Sequence, residues 1–513
     1  MGKGKKWHMG NAVLRMVFVG LSLLFQTAWI LFLILRLNEY SIRISFLTGI
    51  LTVIVVLQLY SRHTTPALKL PWIMLIMALP VMGISLYLMF EVFGDLGNTG
   101  KRLRESRKEI RANLLQQEDV IIRMEKENPA AANRARYLLT QAGSPVWENT
   151  AVVYYGEGAD ALEAMKRDLE KAESFIFMEY FIVSEDSSVQ ELQEILVRKA
   201  RQGVEVRFLY DDMGSTGYVN WFFAKGLNDM GIRCQVFNPA LPVLNLFMNH
   251  RDHRKITVID GKVGYTGGFN LADEYFGRKF PYGKWKDTGL RLEGEAVQNL
   301  TALFLEMWSI SVREKDDFGK YLGIAHSVPG SRGWVQPFGD DPLGEERIAE
   351  NLYLNMIWSA EKYLYIMTPY LIITDEMNNA LAHAAKRGVD VRIITPGIPD
   401  KKTVYQVTRS YYAGLVAQGV RVFEYTPGFC HAKQCLCDGK AATIGTSNLD
   451  YRSLYYHFEN NVLLTDCDAV QTMEQDFREI FPACREVTEQ YRTGRGGFLR
   501  IWQYLLRLFA PLM

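Results

Sequence analysis

Three long apolar runs open the chain, at 12–35, 44–60 and 72–93. The first is 24 residues long, interrupted only by Arg15 and Gln26, and exceeds the ~20 residues that cross the hydrocarbon core of a bilayer. The second is at the short limit for a span. The third contains Pro80 and Gly83, which a membrane helix tolerates more readily than a soluble one. No small-residue cleavage site follows the first run, so a signal peptide does not fit. The pattern predicts an α-helical membrane domain over 1–95 with two or three transmembrane helices. A basic helical linker over 96–145 follows, carrying Lys101, Arg102, Arg104, Arg107, Lys108 and Arg111, and such a juxtamembrane helix attracts anionic lipid. At the other end, 491–513 reads as an amphipathic helix with Arg500, Gln503 and Arg507 on one stripe, either docked on the core or lying in the bilayer interface.

Between these ends, short apolar runs alternate with helical patterns, which indicates an α/β fold. The alternation occurs twice. Ala200-Arg-Gln-Gly-Val-Glu-Val-Arg207 matches Ala385-Lys-Arg-Gly-Val-Asp-Val-Arg392, and Met230-Gly-Ile-Arg233 resembles Gln418-Gly-Val-Arg421. Phe177-Met-Glu-Tyr-Phe181 is aligned with Met367-Thr-Pro-Tyr-Leu371. The expected architecture is a tandem repeat, 146–330 and 331–490, whose halves meet about a pseudo-twofold axis.

Each half carries one chemical pattern. His253-x-Lys255-x4-Asp260 leads to Gly267-Gly-Phe-Asn270, and His431-x-Lys433-x4-Asp438 leads to Gly445-Thr-Ser-Asn448. Both are H-x-K-x4-D-x6-G-[GT]-x-N, with 17 residues from His to Asn in each. In a strand His253 and Lys255 share a face, so imidazole and ammonium project into one pocket, and the twofold brings His431 and Lys433 from the opposite side. Two lysines and two asparagines can hold the oxygens of a phosphodiester without a metal. One histidine then attacks phosphorus while the other protonates the departing alcohol. A nucleophilic imidazole needs an acceptor on its other nitrogen. An acid stands downstream in each half, and Asp287 and Glu459 are assigned to orient His253 and His431. Asp260 and Asp438 complete the catalytic motif and are expected to brace it rather than transfer protons.

Composition narrows this picture in two ways. A formal net charge of +1 and the lack of a basic stripe with interleaved aromatics argue against nucleic acid as partner. Six cysteines, none before Cys234, form no disulfide framework and point to a reducing compartment. Cys430, Cys435 and Cys437 beside His431 are read as strand packing, not as a metal cluster. Lys3, Lys5, Lys6, Arg62 and Lys69 would lie on one membrane face if there are three spans. Arg36, Arg43 and the larger basic set of 101–111 would lie on the other, favouring a cytoplasmic catalytic portion.

The motifs resemble the phospholipase D superfamily across the whole soluble part. With the apolar runs, Lys69-Leu-Pro-Trp-Ile, Tyr87-Leu-Met-Phe90 and the terminal Ala510-Pro-Leu-Met, the chain looks like bacterial cardiolipin synthases, although it ends Leu512-Met513 where that family commonly shows two leucines after proline. The resemblance implies a multi-pass bacterial membrane enzyme with no cofactor or metal. In it, one phosphatidylglycerol donates its phosphatidyl group to histidine, glycerol leaves, and a second phosphatidylglycerol attacks to give cardiolipin. It also implies that His253 is the nucleophile and that His431 acts as general acid, then base. The motifs alone leave open transfer to water, as in a membrane-bound phospholipase D, and transfer to another alcohol such as serine or ethanolamine. A catalytically dead lipid-binding scaffold fits poorly with intact chemistry in both halves.

Overall fold

The computed structural model describes residues 42–62, 64–88, 98–239, 250–312, 316–324 and 326–492, with isolated positions between 21 and 32 and between 506 and 510. Strands begin where β-branched and aromatic residues cluster after 150. The first half contains β1 (Thr150–Tyr155), β2 (Phe175–Tyr180), β3 (Glu205–Asp211), β4 (Arg233–Phe237), β5 (Arg251–Asp252), β6 (Lys255–Ile259), β7 (Val263–Gly267), β8 (Lys284–Lys286) and β9 (Gly289–Gly294). The second contains β10 (Trp334–Asp340), β11 (Tyr363–Met367), β12 (Asp390–Pro396), β13 (Arg421–Tyr425), β14 (Gly428–Cys430), β15 (Gln434–Cys437), β16 (Ala441–Gly445), β17 (His457–Thr465) and β18 (Cys484–Glu486). One sheet is ordered β1-β9-β7-β6-β2-β3-β4, and the other runs β10-β17-β16-β15-β11-β12-β13-β18. The second order repeats the first and adds an edge strand.

The repeated sequence words become repeated structure. Helix Ser187–Arg201 and helix Asp375–Lys386 each end just before a glycine with positive φ, Gly203 at 92° and Gly388 at 94°. That left-handed conformation costs a residue with a Cβ, so glycine stops the helix and turns the chain into β3 or β12. Asp260 and Asp438 both sit at φ 53°. The Asp260 carboxylate accepts from the backbone N–H groups of Glu173, Ser174 and Phe175, and Asp438 accepts from those of Glu361, Lys362 and Tyr363. These two motif acids therefore brace a strand end in each half, away from the cleft. The same bonds correct one pairing of the repeat. Asp260 N–H donates to the Phe175 carbonyl and Asp438 N–H to that of Tyr363, so Phe177 corresponds to Tyr365, not Met367. The shift of two residues keeps the same face inward, which is why the misalignment left the motif logic intact.

The halves are joined by a shared apolar core. Helix Val297–Ser311 is buried at every position from Val297 to Ile310, as expected of a helix that is enclosed on all sides. Leu103 and Ile110 of helix Asn98–Ala112 pack into the same core, and Arg107 of that helix pairs with Glu306 at 2.9 Å and Asp341 at 2.8 Å. One face of the basic linker is thus docked, while Lys101, Arg104 and Lys108 remain exposed.

The third apolar run departs from expectation. The first lies, apart from isolated positions, outside the described residues, and so do most residues of 491–513. Where that tail is described, Leu506 packs on the second-half core, Ala510 is buried in it, and the Arg507 guanidinium lies 4.0 Å from the Tyr411 ring centroid. Among the described residues no helix is long and apolar enough to cross a membrane. The third run is two helices, Pro66–Ala78 and Pro80–Tyr87, broken at Leu79 with φ −135° and ψ 75°. Proline lacks an N–H and disfavours helical geometry in the residue before it. The chain folds back so tightly that a Cβ on Gly83 would stand 2.6 Å from the Ile76 Cα. Thirteen residues rise only ~20 Å as a helix. The start of this hairpin is tied to the α/β portion: Thr65 Oγ1 meets the Tyr455 hydroxyl at 2.6 Å, and Ala67 and Leu68 pack on the second-half core. Lys69 and Arg107, assigned by charge counting to opposite faces, therefore both belong to segments resting on the α/β portion. A three-span arrangement required them to be separated.

Candidate active site

The strand that leads into each motif histidine does not pair within its own half. β5 runs parallel to the start of β17, with Arg251 opposite His457 and Asp252 opposite Phe458, and β14 runs parallel to β8, with Cys430 opposite Lys286. The pairing continues one residue further: His253 N–H donates to the Phe458 carbonyl at 2.9 Å, and His431 N–H to the Lys286 carbonyl at 2.7 Å. Each histidine therefore lands beside the next residue of the partner strand, which is the acid of the other half.

The acids are crossed in consequence. Glu459 approaches His253 Nδ1 with both oxygens at 2.9 Å, and Asp287 Oδ2 lies 2.6 Å from His431 Nδ1. The two halves solve the acid's packing differently. Gly268 leaves room for Asp287, since a Cβ there would stand 2.0 Å from Asp287 Oδ1. The matching Thr446 instead donates its hydroxyl to Glu459. An acid oxygen accepting from Nδ1–H fixes the ring and leaves Nε2 bare, the arrangement that a nucleophilic imidazole requires; His431 Nδ1 also lies 2.8 Å from Lys433 Nζ.

The lysines are wholly buried beside the histidines. Lys255 Nζ donates to the His253 carbonyl at 2.7 Å, and Lys433 donates to the His431 carbonyl. Asn270 accepts from the Ile182 N–H at 3.1 Å and donates to the Tyr275 hydroxyl at 2.8 Å. Asn448 donates to Asp450 at 3.2 Å. His253, His431, Asn270 and Asn448 line a single cleft of about 1680 Å³ that opens to solvent.

Burial dominates the electrostatics. It pushes Lys255 down to about 7 against the pull of Glu459, and Lys433 down to about 8 against that of Asp287. His431 is pushed down to about 4 by burial and by Lys433, and His253 lies well below the usual imidazole range for the same reason, with Lys255 adding to it. Burial also opposes charge on Asp287, but His431 and Lys433 outweigh it and hold the carboxyl below its ordinary range. At Glu459 burial wins, and the carboxyl rises well above that range. An anion between the two imidazoles favours their protonated forms.

Two features were not singled out in the sequence. His457 lies two residues before Glu459, and Trp285 two before Asp287, so strand parity places both beside the acids. His457 sits 5.6 Å from the His253 ring and Trp285 5.4 Å from the His431 ring, centroid to centroid. His253, His457 and Glu459 bring one ligand atom each within 4.8 Å of one another, the one such group among the described residues. The cysteines near His431 form no such group: Cys430, Cys435 and Cys437 are buried in the apolar cores, and burial raises all three thiols.

Known proteins resemble this chain along most of its length. The family model described as "Cardiolipin synthase, PLD-like domain" matches residues 165–308 and 353–481, and "Phospholipase_D-nuclease N-terminal" matches 50–91. A cardiolipin synthase of Halalkalibacterium halodurans is 36% identical over 469 residues, covering 90% of this chain and 91% of its own length. One of Geobacillus kaustophilus is 34% identical over 482 residues, 91% and 93%. An uncharacterised protein of Streptococcus mutans is 38% identical over 458 residues, 89% and 99%. The crystal structure of a phosphatidylserine synthase of Haemophilus influenzae shares the fold, with a TM-score of 0.55 at 15% identity over 74% of this chain and 97% of that one.

Proposed function

Because the chain belongs to the family of the cardiolipin synthase, PLD-like domain, we propose that this phospholipase D-type phosphatidyltransferase is a cardiolipin synthase that joins two phosphatidylglycerols and releases glycerol. The observation that carries the reading is the pair of crossed imidazole–acid contacts, one histidine from each half, opening on one cleft. Lys255, Lys433, Asn270 and Asn448 hold the lipid phosphate. His253 Nε2 attacks phosphorus, the bond to the glycerol oxygen breaks, and His431 supplies the proton that glycerol takes away. His431, now neutral, removes the proton from the terminal hydroxyl of a second phosphatidylglycerol. That oxygen attacks phosphorus and His253 leaves, free for the next turn.

The membrane belongs to the same proposal. Helix Ile42–Ser61 exposes Leu47, Ile50, Leu51, Val53, Ile54 and Leu57, a contiguous apolar surface larger than soluble proteins normally leave in water. It faces acyl chains in a bacterial membrane, and the Pro66–Ala78 and Pro80–Tyr87 hairpin dips in and returns. The free cysteines suit a cleft on the cytoplasmic face.

The direct test is to incubate purified protein with phosphatidylglycerol vesicles and separate the lipid products by class. Cardiolipin and free glycerol in equal amounts are expected, unchanged by a strong chelator. Glycerol with phosphatidic acid alone would make the protein a hydrolase. Loss of activity in chelator, restored by a divalent ion, would place a cation among His253, His457 and Glu459.

The buried lysines set a pH dependence. Their pKa values are depressed, to about 7 for Lys255 and about 8 for Lys433, so in the empty site the charges are present below that window and lost as pH rises through it. The KM for anionic lipid is expected to climb several-fold above about pH 8, with kcat less affected, because the lost charge weakens ground-state capture of the phosphate. Initial rates across pH check this; a flat KM up to pH ~9.5 would overturn it.

A further inference from the structure

His457 is a buried histidine with nothing to bond. It is 8% exposed, it lines the cleft, and neither ring nitrogen has a hydrogen-bond partner. Its nearest carboxylate, Glu459 Oε1, stands 3.7 Å from Nδ1, beyond hydrogen-bond reach. Two other cleft-lining atoms share this condition, Trp285 Nε1 on the pseudo-symmetric position and Asn448 Oδ1. Burial and the nearby Arg452, Arg251, Lys255 and His250 keep the His457 ring well below the usual imidazole range, hence neutral. A neutral imidazole offers one N–H donor and one acceptor nitrogen. The unpaired set thus contains two donors, on His457 and Trp285, and two acceptors, on His457 and Asn448.

Buried polar atoms are nearly always satisfied, and those left open in a cleft await a ligand that completes them. A phosphodiester only accepts hydrogen bonds. It can satisfy the two donors but not the two acceptors, which need O–H or N–H groups on the headgroup. Arg452, Arg251 and Lys255 near His457 disfavour an ammonium there and leave a neutral hydroxyl unpenalised. Burial holds the nearest acid, Glu459, well above its usual range and so opposes the negative charge that would attract one.

We infer that His457, with Asn448, forms a headgroup subsite that recognises the hydroxyl groups of a neutral polyol phospholipid and rejects amine and quaternary ammonium headgroups. This rests on the phosphatidyl-transfer reading and goes further in naming the residues that choose the donor lipid. His457 contacts substrate but carries no covalent step.

Headgroup release is the readout, because it is counted whether the phosphatidyl group passes to a lipid or to water. If the protein proved to be a hydrolase, this test would stand unaffected. Vesicles containing phosphatidylglycerol, phosphatidylethanolamine or phosphatidylcholine are compared by kcat/KM. The wild-type enzyme is expected to favour phosphatidylglycerol at least tenfold. His457→Phe, which keeps the ring and removes both nitrogens, should narrow that preference to within about threefold, mainly through a higher KM for phosphatidylglycerol. His457→Gln, which restores one donor and one acceptor, should recover most of it. A merely structural role would lower all three lipids alike and leave the ratio unchanged. That result, or a wild-type enzyme without headgroup preference, would overturn the inference.

Discussion

With His253 replaced by alanine, turnover is expected to fall by about 10⁴-fold or more, since removing a covalent nucleophile leaves only binding and electrostatic contributions. Alanine cannot form the phosphoramidate, and among the described residues no other imidazole is hydrogen-bonded to Glu459. His457 lies near His253, but its Nδ1 is 3.7 Å from that carboxylate, so its ring is not held for attack. His431→Ala should behave differently. A general acid contributes about 10²–10⁴-fold, and only where the leaving group needs a proton. With glycerol as leaving group His431→Ala should lose most activity, whereas a p-nitrophenyl phosphatidyl ester, whose anion departs unaided, should still phosphorylate His253. Initial rates on both donors check this. Equal losses of the two variants on both donors would remove the division of labour.

The second large effect tests the crossing. Glu459→Gln and Asp287→Asn each keep the local shape but replace the carboxylate by an amide whose NH₂ can donate to the ring and select the wrong histidine tautomer, a change expected to cost about 10³–10⁴-fold in kcat. Which histidine each acid serves is read from combinations, because groups that act as a unit are not additive. With the activated donor, Asp287→Asn should add little to His431→Ala, whereas Glu459→Gln should multiply the loss. If the acids served their own halves, that pattern would be reversed.

The duplicated pattern was legible because it occurs twice. His253, Lys255 and Asn270, with His431, Lys433 and Asn448, were found by spacing alone, and the structure gathers both histidines and both asparagines on one cleft. The crossing of Asp287 and Glu459 was not legible. It depends on the parallel contacts β5–β17 and β14–β8, two very short pairings between distant segments that leave no periodicity in sequence. His457 carried a usable signal, its parity with Glu459, but a lone histidine in Tyr-His-Phe-Glu reads as strand packing until its empty nitrogens are seen. The third apolar run misled for a physical reason. Hydropathy adds up apolar residues and is blind to direction, while the break at Leu79 and the glycine at 83 that lets the chain turn back are local backbone events.

The proposed chemistry depends on imidazoles from opposite halves facing each other across one lipid phosphate, with the first accepting it. Rapid quenching of wild-type enzyme with phosphatidylglycerol labelled in the phosphatidyl moiety, followed by peptide mapping under conditions that preserve phosphoramidates, reports this directly. The label is expected on the imidazole of His253 and absent from His253→Ala. Label on His431, or turnover with no covalent adduct at any time, would contradict it.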